Sequence, residues 1–296
     1  MNPLPAWGAR RLGQRRAWRT IARGRGDPSR VPISASRVAL RPRSMSDVLD
    51  LAGPFCVANR RLLAPLALWV TVGGGLMALV CRLEGGWSWS AVWLVMTSYL
   101  LLSSGVYTVA AGELLFREPA DVGVLHVLGR FGRRFVPFLL ARVVQLVVLG
   151  LCAVLIVPLP IFAARFFFIS ETVLLESATP FGCLARSSRL VLYRSMPCFG
   201  LALASLAAPF LFAMAADLLG NTLVDMVFQM GRPFGSLWSN GGSAYAVAGA
   251  LLSAPFVASA SFLGYIDLRT RKEGWDIQLR FMALADAEAK NRRIAS

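Results

Sequence analysis

The chain has a single histidine, His126, and five cysteines: Cys56, Cys81, Cys152, Cys183 and Cys198. One imidazole excludes a His-rich zinc site and argues against a Ser–His–Asp mechanism. The cysteines are odd in number and widely spaced, with no C-x-x-C pair. That argues against a disulfide framework and against a thiolate metal site. Most lie in apolar surroundings, where cysteine acts as a small hydrophobe. Charge is also scarce. Asp, Glu, Lys and Arg make up 16% of the residues, against roughly a quarter in soluble domains. There is no phosphate-binding G-x-x-x-x-G-K-[ST], no H-E-x-x-H, no EF-hand loop and no G-x-S-x-G elbow. An enzyme built on this chain would rest on Glu113, Glu171, Glu176 or Asp267 with arginine partners, and their spacing singles out no reaction. The expectation is a non-enzyme with no catalytic residues, no cofactor and no metal.

What the chain has instead is apolar length. It is 56% hydrophobic with mean hydropathy +0.59, and a helix needs about 20 apolar residues to cross a bilayer. Five runs qualify: 62–81, 87–112, 136–157, 197–219 and 244–265. A sixth, Pro158–Ser177, carries Arg165, Glu171 and Glu176. Basic residues gather on the cytoplasmic side of short loops, and this rule decides the reading. If 159–177 spans, sixteen Lys and Arg beyond the N-terminal tail fall on one side, and only Arg82 and Arg232 on the other. If it does not, Arg186, Arg189, Arg194 and the C-terminal basic cluster move outside. The predicted fold is therefore all-α: a polytopic transmembrane bundle of six spans with both termini cytoplasmic, and Pro158 and Pro160 in the outer turn.

Six spans put Arg165 inside the bilayer, where a charge at mid-helix costs about 2.5–3.5 kcal/mol. On a continuous helix Arg165, Thr172 and Glu176 share one face, and Glu171 points elsewhere. Arg165 and Glu176 are then about 16 Å apart along the axis, so each needs another partner. Arg142 is a second embedded cation. Arg142, Arg165, Thr172 and Glu176 form the candidate intramembrane polar site. It reads either as an internal salt-bridge network or as a site for an anionic headgroup or solute. For Arg165 the expectation is an internal pair, with Glu171 or Glu176 as its partner.

Four amphipathic segments are predicted to lie in the cytoplasmic interface. Ser44-x-x-Asp47 forms a capping box ahead of Val48, Leu51, Ala52 and Phe55. Residues 116–135 mix apolar side chains with Arg130, Arg133 and Arg134. Phe181, Leu184, Ala185 and Ser188 form one helix face, with Arg186 and Arg189 turned away. After the last span, Asp267–Arg271 and Asp276–Arg280 are i,i+4 pairs. The outer loop 220–243 is too polar to span, with a short helix expected near Met226–Met230. Ala246, Ala250, Ala254 and Ala258 repeat as a small-xxx-small face, suited to packing within the bundle or to dimerisation.

Residues 1–43 hold eleven Arg against Asp27 alone, a net +10 out of +15 for the chain. Nucleic-acid binding and an Arg-rich presequence are the specific readings. A disordered tail held near anionic lipid is the simpler one, and a start at Met45 is a third. The expected organisation is an Arg-rich tail over 1–43, a membrane domain over 44–282 and a cytoplasmic tail over 283–296.

Three stretches together resemble a known group: "LRPRSMSDVLDLAGPFCVANRRLL", "ARFFFISETVLLESATPFGCLARSSRLV" and "YIDLRTRKEGWDIQLRF". They are similar to the membrane domain attached to some bacterial glycerophosphodiester phosphodiesterases and to YciC-like inner-membrane proteins, over roughly residues 40–282. The resemblance implies a bacterial inner-membrane location. It also implies recurring positions: an embedded Arg at Arg165, a Glu at Glu176, and an interfacial motif of Asp267, Arg269, Arg271, Lys272 and Glu273. The soluble phosphodiesterase domain has no counterpart among these residues.

Two functions follow. One is a scaffold, assembly partner or lipid-interacting bundle, with anionic lipid, a membrane-protein partner or a second copy as its contacts and no nucleic acid. The alternative is a transporter or lipid-handling protein whose intramembrane arginines bind an anion. A sealed bundle favours the first; a water-accessible cavity lined by the face of Arg165, Thr172 and Glu176 favours the second. The tail carries no apolar stripe, so a chain starting at Met45 is expected to insert and stay folded. Loss of membrane insertion in a fractionation assay would show that the tail is a targeting signal.

Overall fold

In the computed structural model the described residues are 44–116, 122–155, 158–176, 178–192, 194–229 and 233–273. They all fall within one unit, Arg37–Ile277, and among them there are only helices and connecting turns. The helices are α1 (Met45–Ala58), α2 (Arg60–Leu83), α3 (Trp89–Phe116), α4 (Val124–Leu155), α5 (Leu159–Arg165), α6 (Ile169–Leu174), α7 (Gly182–Val191), α8 (Ser195–Phe228), α9 (Leu237–Asn240), α10 (Ala244–Leu252) and α11 (Ala254–Glu273). The tail over 1–43, Asp276–Arg280 and residues 283–296 lie outside the described residues.

Five stretches are long and apolar enough to cross a membrane: α2, α3, α4, α8, and α10 with α11 together. Helices suit lipid because each satisfies its own backbone hydrogen bonds. Their outward faces carry Trp69, Leu94, Val154, Leu206 and Leu218, each more than 60% exposed. In water this would be a large unexplained patch; against lipid tails it is the ordinary surface of a membrane protein.

α1 begins as the sequence predicts. Ser44 Oγ accepts from the Asp47 amide, and the Asp47 carboxylate accepts from the Ser44 amide. Val48, Ala52 and Phe55 are buried, and α1 packs on α11. Cys56 reaches the same helix, with its Sγ 3.4 Å from the Pro255 carbonyl and 3.3 Å from Ser259 Oγ.

Several helices differ from the sequence reading. The basic segment 116–135 and the third span are not separate elements, because α4 runs unbroken from Val124 to Leu155. Pro137 lies inside it and removes one helical donor, yet the apolar run on both sides carries the helix through. α8 also continues past the expected end at 219, through Met226 to Phe228. It stops at Gln229, which takes a left-handed conformation, φ 53°. The last span breaks between α10 and α11. Pro255 has no N–H and its ring crowds the carbonyl four residues back. Ser253, at the break, bonds back onto the end of α10: its Oγ donates to the Ala250 carbonyl at 2.7 Å.

The stretch Pro158–Ser177 is not one helix. α5 ends at Arg165, a turn occupies Phe166–Phe168, and α6 is six residues long. The segment starts beyond the far end of α4, passes Gln145 at Phe166, and brings Leu175 against Gly112 near the end of α3. α3 meets the beginning of α4 at that same end, where Arg130 pairs with Glu113. The broken segment thus returns along the length of α4.

The small-residue face is used inside the bundle. Ala246, Ala250, Ala254 and Ala258 are all buried, and α10 packs closely on α8. A Cβ added at Gly249 would stand 2.4 Å from the Phe212 carbonyl oxygen and 2.5 Å from Ala216 Cβ. Only a residue without a side chain permits this approach. Gly249→Leu is expected to force α10 off α8 at a cost of about 1–3 kcal/mol, read as a lower unfolding temperature in detergent. An unchanged temperature would mean that this close contact is dispensable.

Candidate functional site

The largest described cavity lies between α3, α4, the α5–α6 segment, α8, α10 and α11. Its volume is about 600 Å³, within the usual range of ligand sites. Most of its wall is apolar. The polar exceptions include Ser104, Arg142, Gln145, Glu171, Ser205 and Ser261. Leu206 and Phe210 of α8 line it and are 74% and 58% exposed, so the cavity opens sideways beside α8, on the face that lipid would cover.

Arg142 is positioned by two neighbours. Its Nη1 donates to Gln145 Oε1 at 2.9 Å, and its Nη2 donates to Ser104 Oγ at 3.1 Å. The guanidinium also lies 5.5 Å from the centre of the Phe138 ring, a cation–π arrangement. Gln145 is spaced i+3 from Arg142, so both share one face of α4. The Gln145 amide then donates to the Phe166 carbonyl at 3.0 Å. This carbonyl is left without a helical partner by the turn between α5 and α6. Glu171 sits one turn into α6 and is 1% exposed. Ser261 of α11 donates to its Oε1 at 2.6 Å.

The predicted set of Arg142, Arg165, Thr172 and Glu176 does not assemble. Arg142 alone of the four lines the cavity. Thr172 is fully buried and donates to the Ile169 carbonyl, a satisfied helix hydroxyl. Arg165 ends α5; only its backbone carbonyl is engaged, by Ser187 Oγ at 2.6 Å. Its guanidinium has no hydrogen bond or ion pair among the described residues, so within the chain it does not pair with Glu171 or Glu176. The common face failed because it needed a continuous helix through Phe166–Phe168. The same break turns Glu171 into the cavity, although a straight helix had it pointing elsewhere. Gln145, Ser104 and Ser261 were not singled out from sequence. The i,i+3 pairing of Gln145 with Arg142 was the one signal available.

Glu176 belongs to a second cluster, at the end of the bundle where α3 ends. Arg186 forks onto it with Nε–Oε2 2.7 Å and Nη2–Oε1 3.1 Å. Tyr265 donates to Oε1 at 2.5 Å, and Arg269 Nε approaches to 3.6 Å. Arg186 therefore faces inward, contrary to the sequence reading of α7. Cys183, Ser187, Leu190 and Val191 are the buried face of that helix, and Phe181 is 78% exposed. Burial pushes the Cys183 thiol up to about 11, so it stays protonated and unreactive at neutral pH.

Asp267 pairs with Arg271 at 2.9 Å, as the spacing predicts. Lys272 donates to the Arg189 carbonyl. Glu113 pairs with Arg130, and His126 stands 3.9 Å from it. The Glu273 side chain lies outside the described residues. Among the described residues no three His, Cys, Asp or Glu side chains gather as a metal site.

At the other end, Asp217 ties down the segment that leads into α10. It accepts from Ser243 Oγ, from Asn221 Nδ2 at 3.0 Å and from the Leu237 amide at 3.1 Å. Ser243 also caps α10.

Comparison with protein-family models, with curated proteins and with solved structures gives no match.

The two embedded charges predict different outcomes. Glu176→Leu removes the carboxylate that Arg186 and Tyr265 bond and Arg269 approaches, and is expected to cost about 2–3 kcal/mol. Arg165→Leu removes a charge without a side-chain partner and is expected to be neutral or mildly stabilising. Thermal unfolding of both variants in detergent checks this. An equal loss in both would restore Arg165 to a structural role.

Proposed function

We propose that this chain is a non-enzymatic, multi-pass protein of a bacterial inner membrane that takes an amphiphile from the bilayer into the cavity beside Arg142. One observation carries the reading: a cavity of about 600 Å³ with a mostly apolar wall, a few convergent polar groups and a lateral opening beside α8. An acyl chain matches the apolar wall and a polar head matches Arg142, Gln145 and Glu171. This is the lipid-handling alternative. A sealed scaffold would have no use for a cavity of this size.

In this proposal the chain crosses the membrane six times, with both termini in the cytoplasm. Support comes from the return of the α5–α6 segment along α4. It comes also from the gathering of Arg130, Arg186, Arg269, Arg271 and Lys272 at one end of the bundle. That end would meet anionic cytoplasmic headgroups, and α1 and α7 would lie in its interface. Such a bundle agrees with the resemblance to YciC-like proteins, whose recurring positions Glu176 and Arg269 stand 3.6 Å apart here.

Two measurements test the proposal. A single cysteine at Ala185, an exposed position of α7, in a background without the five native cysteines is expected to react only from the cytoplasmic side. Reaction from outside would overturn the topology. Ala202 lines the cavity from α8. Ala202→Phe is expected to keep the helical content but lose the rise in unfolding temperature that added bilayer lipid gives the parent. A variant that responds to lipid like the parent would remove the cavity from the function.

A further inference from the structure

Arg142 and Glu171 line the same cavity, yet each keeps one polar atom free. Nη1 and Nη2 of Arg142 are engaged, and its buried Nε has no partner among the described residues. Glu171 Oε1 is engaged by Ser261, and Oε2 has no partner. Glu171 is 1% exposed, so bulk water does not satisfy that oxygen. Buried polar atoms in native proteins are almost always paired, and these two belong to side chains that line one cavity, so its occupant is the source from which their partners would come. The complement of a free guanidinium N–H is an acceptor. The complement of a free carboxylate oxygen is a donor.

Charge narrows the class. A net anion in this cavity gains from Arg142 but is repelled by Glu171 at low dielectric. A net cation meets the reverse. A zwitterion with separate anionic and cationic groups satisfies both. Ser205 Oγ of α8, also buried and unpartnered, can donate to an ester carbonyl below the head. Resting on the reading of the cavity as an amphiphile site, we infer that it selects a zwitterionic head of the ammonium–phosphate type. A phosphate oxygen accepts from Arg142 Nε, and an ammonium N–H donates to Glu171 Oε2. This differs from the anion site expected on sequence grounds, because Glu171 offsets the arginine.

The N–H requirement makes the inference testable on the full chain in detergent. Phosphatidylethanolamine, phosphatidylcholine and phosphatidylglycerol with identical acyl chains are titrated, and the rise in unfolding temperature is followed. Phosphatidylcholine is zwitterionic but its ammonium has no N–H; phosphatidylglycerol is a net anion. Phosphatidylethanolamine is expected to act at about tenfold lower concentration than either. Glu171→Gln is expected to erase that advantage and leave phosphatidylglycerol at least as effective as on the parent. Soluble phosphoethanolamine forms a fourth arm. If it stabilises as well as the lipid, the head chemistry stands and the ligand's source is a free solute.

Equal potency of the three lipids on the parent, or an advantage for phosphatidylglycerol, overturns the zwitterion and leaves an amphiphile site. An unfolding temperature that no lipid raises overturns the amphiphile reading itself. The comparison on the parent needs no variant, so it decides the matter even where Glu171→Gln fails to fold.

Discussion

The hydrogen bond from Gln145 to the Phe166 carbonyl is the contact on which the centre of this bundle depends. A break between two helices inside the bundle leaves carbonyls that water does not reach, each costing about 1–3 kcal/mol if left unpaired. Two of the carbonyls freed where α5 stops find side-chain donors. Ser187 takes the Arg165 carbonyl and Gln145 takes that of Phe166. With both satisfied, the chain turns at Phe166–Phe168 and resumes as α6 on a new helical phase. That change brings Glu171 into the cavity. Gln145 meanwhile accepts from Arg142 through the other end of its amide, so one side chain supports the break and positions the cation.

The two polar clusters differ in completeness. At the end where α3 stops, Glu176 is held by Arg186, Tyr265 and Arg269, which ties α7 and α11 to the end of α6. Such a multiply satisfied carboxylate fixes helices relative to one another. Around Arg142 and Glu171 the pairing is partial: Arg142 Nε and Glu171 Oε2 have no hydrogen-bond partner among the described residues. A satisfied network serves architecture. A half-satisfied one is costly to a folded protein, and this contrast sets the proposed binding region apart from the structural one.

Packing follows from the same solvent logic. Lipid tails are as apolar as leucine, so helices in a membrane gain little from burying large apolar side chains. The close contact of α10 with α8 uses alanine and glycine, with Gly249 against the Phe212 carbonyl, and the large side chains face outward. The segment that leads into α10 is fastened by polar means, through Asp217.

Much of the fold was legible in the chain itself. Apolar length determined the five long helical stretches, because bilayer thickness and helix rise leave few alternatives. The capping box at Ser44 and the Asp267–Arg271 pair were also legible, because both are local in sequence. The candidate site was legible only as Arg142. Periodicity assumed a straight helix through Phe166–Phe168 and so grouped Arg165 with Thr172 and Glu176. Only the tertiary structure decided otherwise, because the partners that permit the break, Gln145 and Ser187, lie 21 and 22 residues away from the carbonyls they donate to. The inward face of α7 was decided the same way, by Glu176 reaching Arg186 from outside that helix. Local pattern determines where a helix can form; where it bends, and which charge then meets the cavity, depends on hydrogen-bond partners that no local pattern contains.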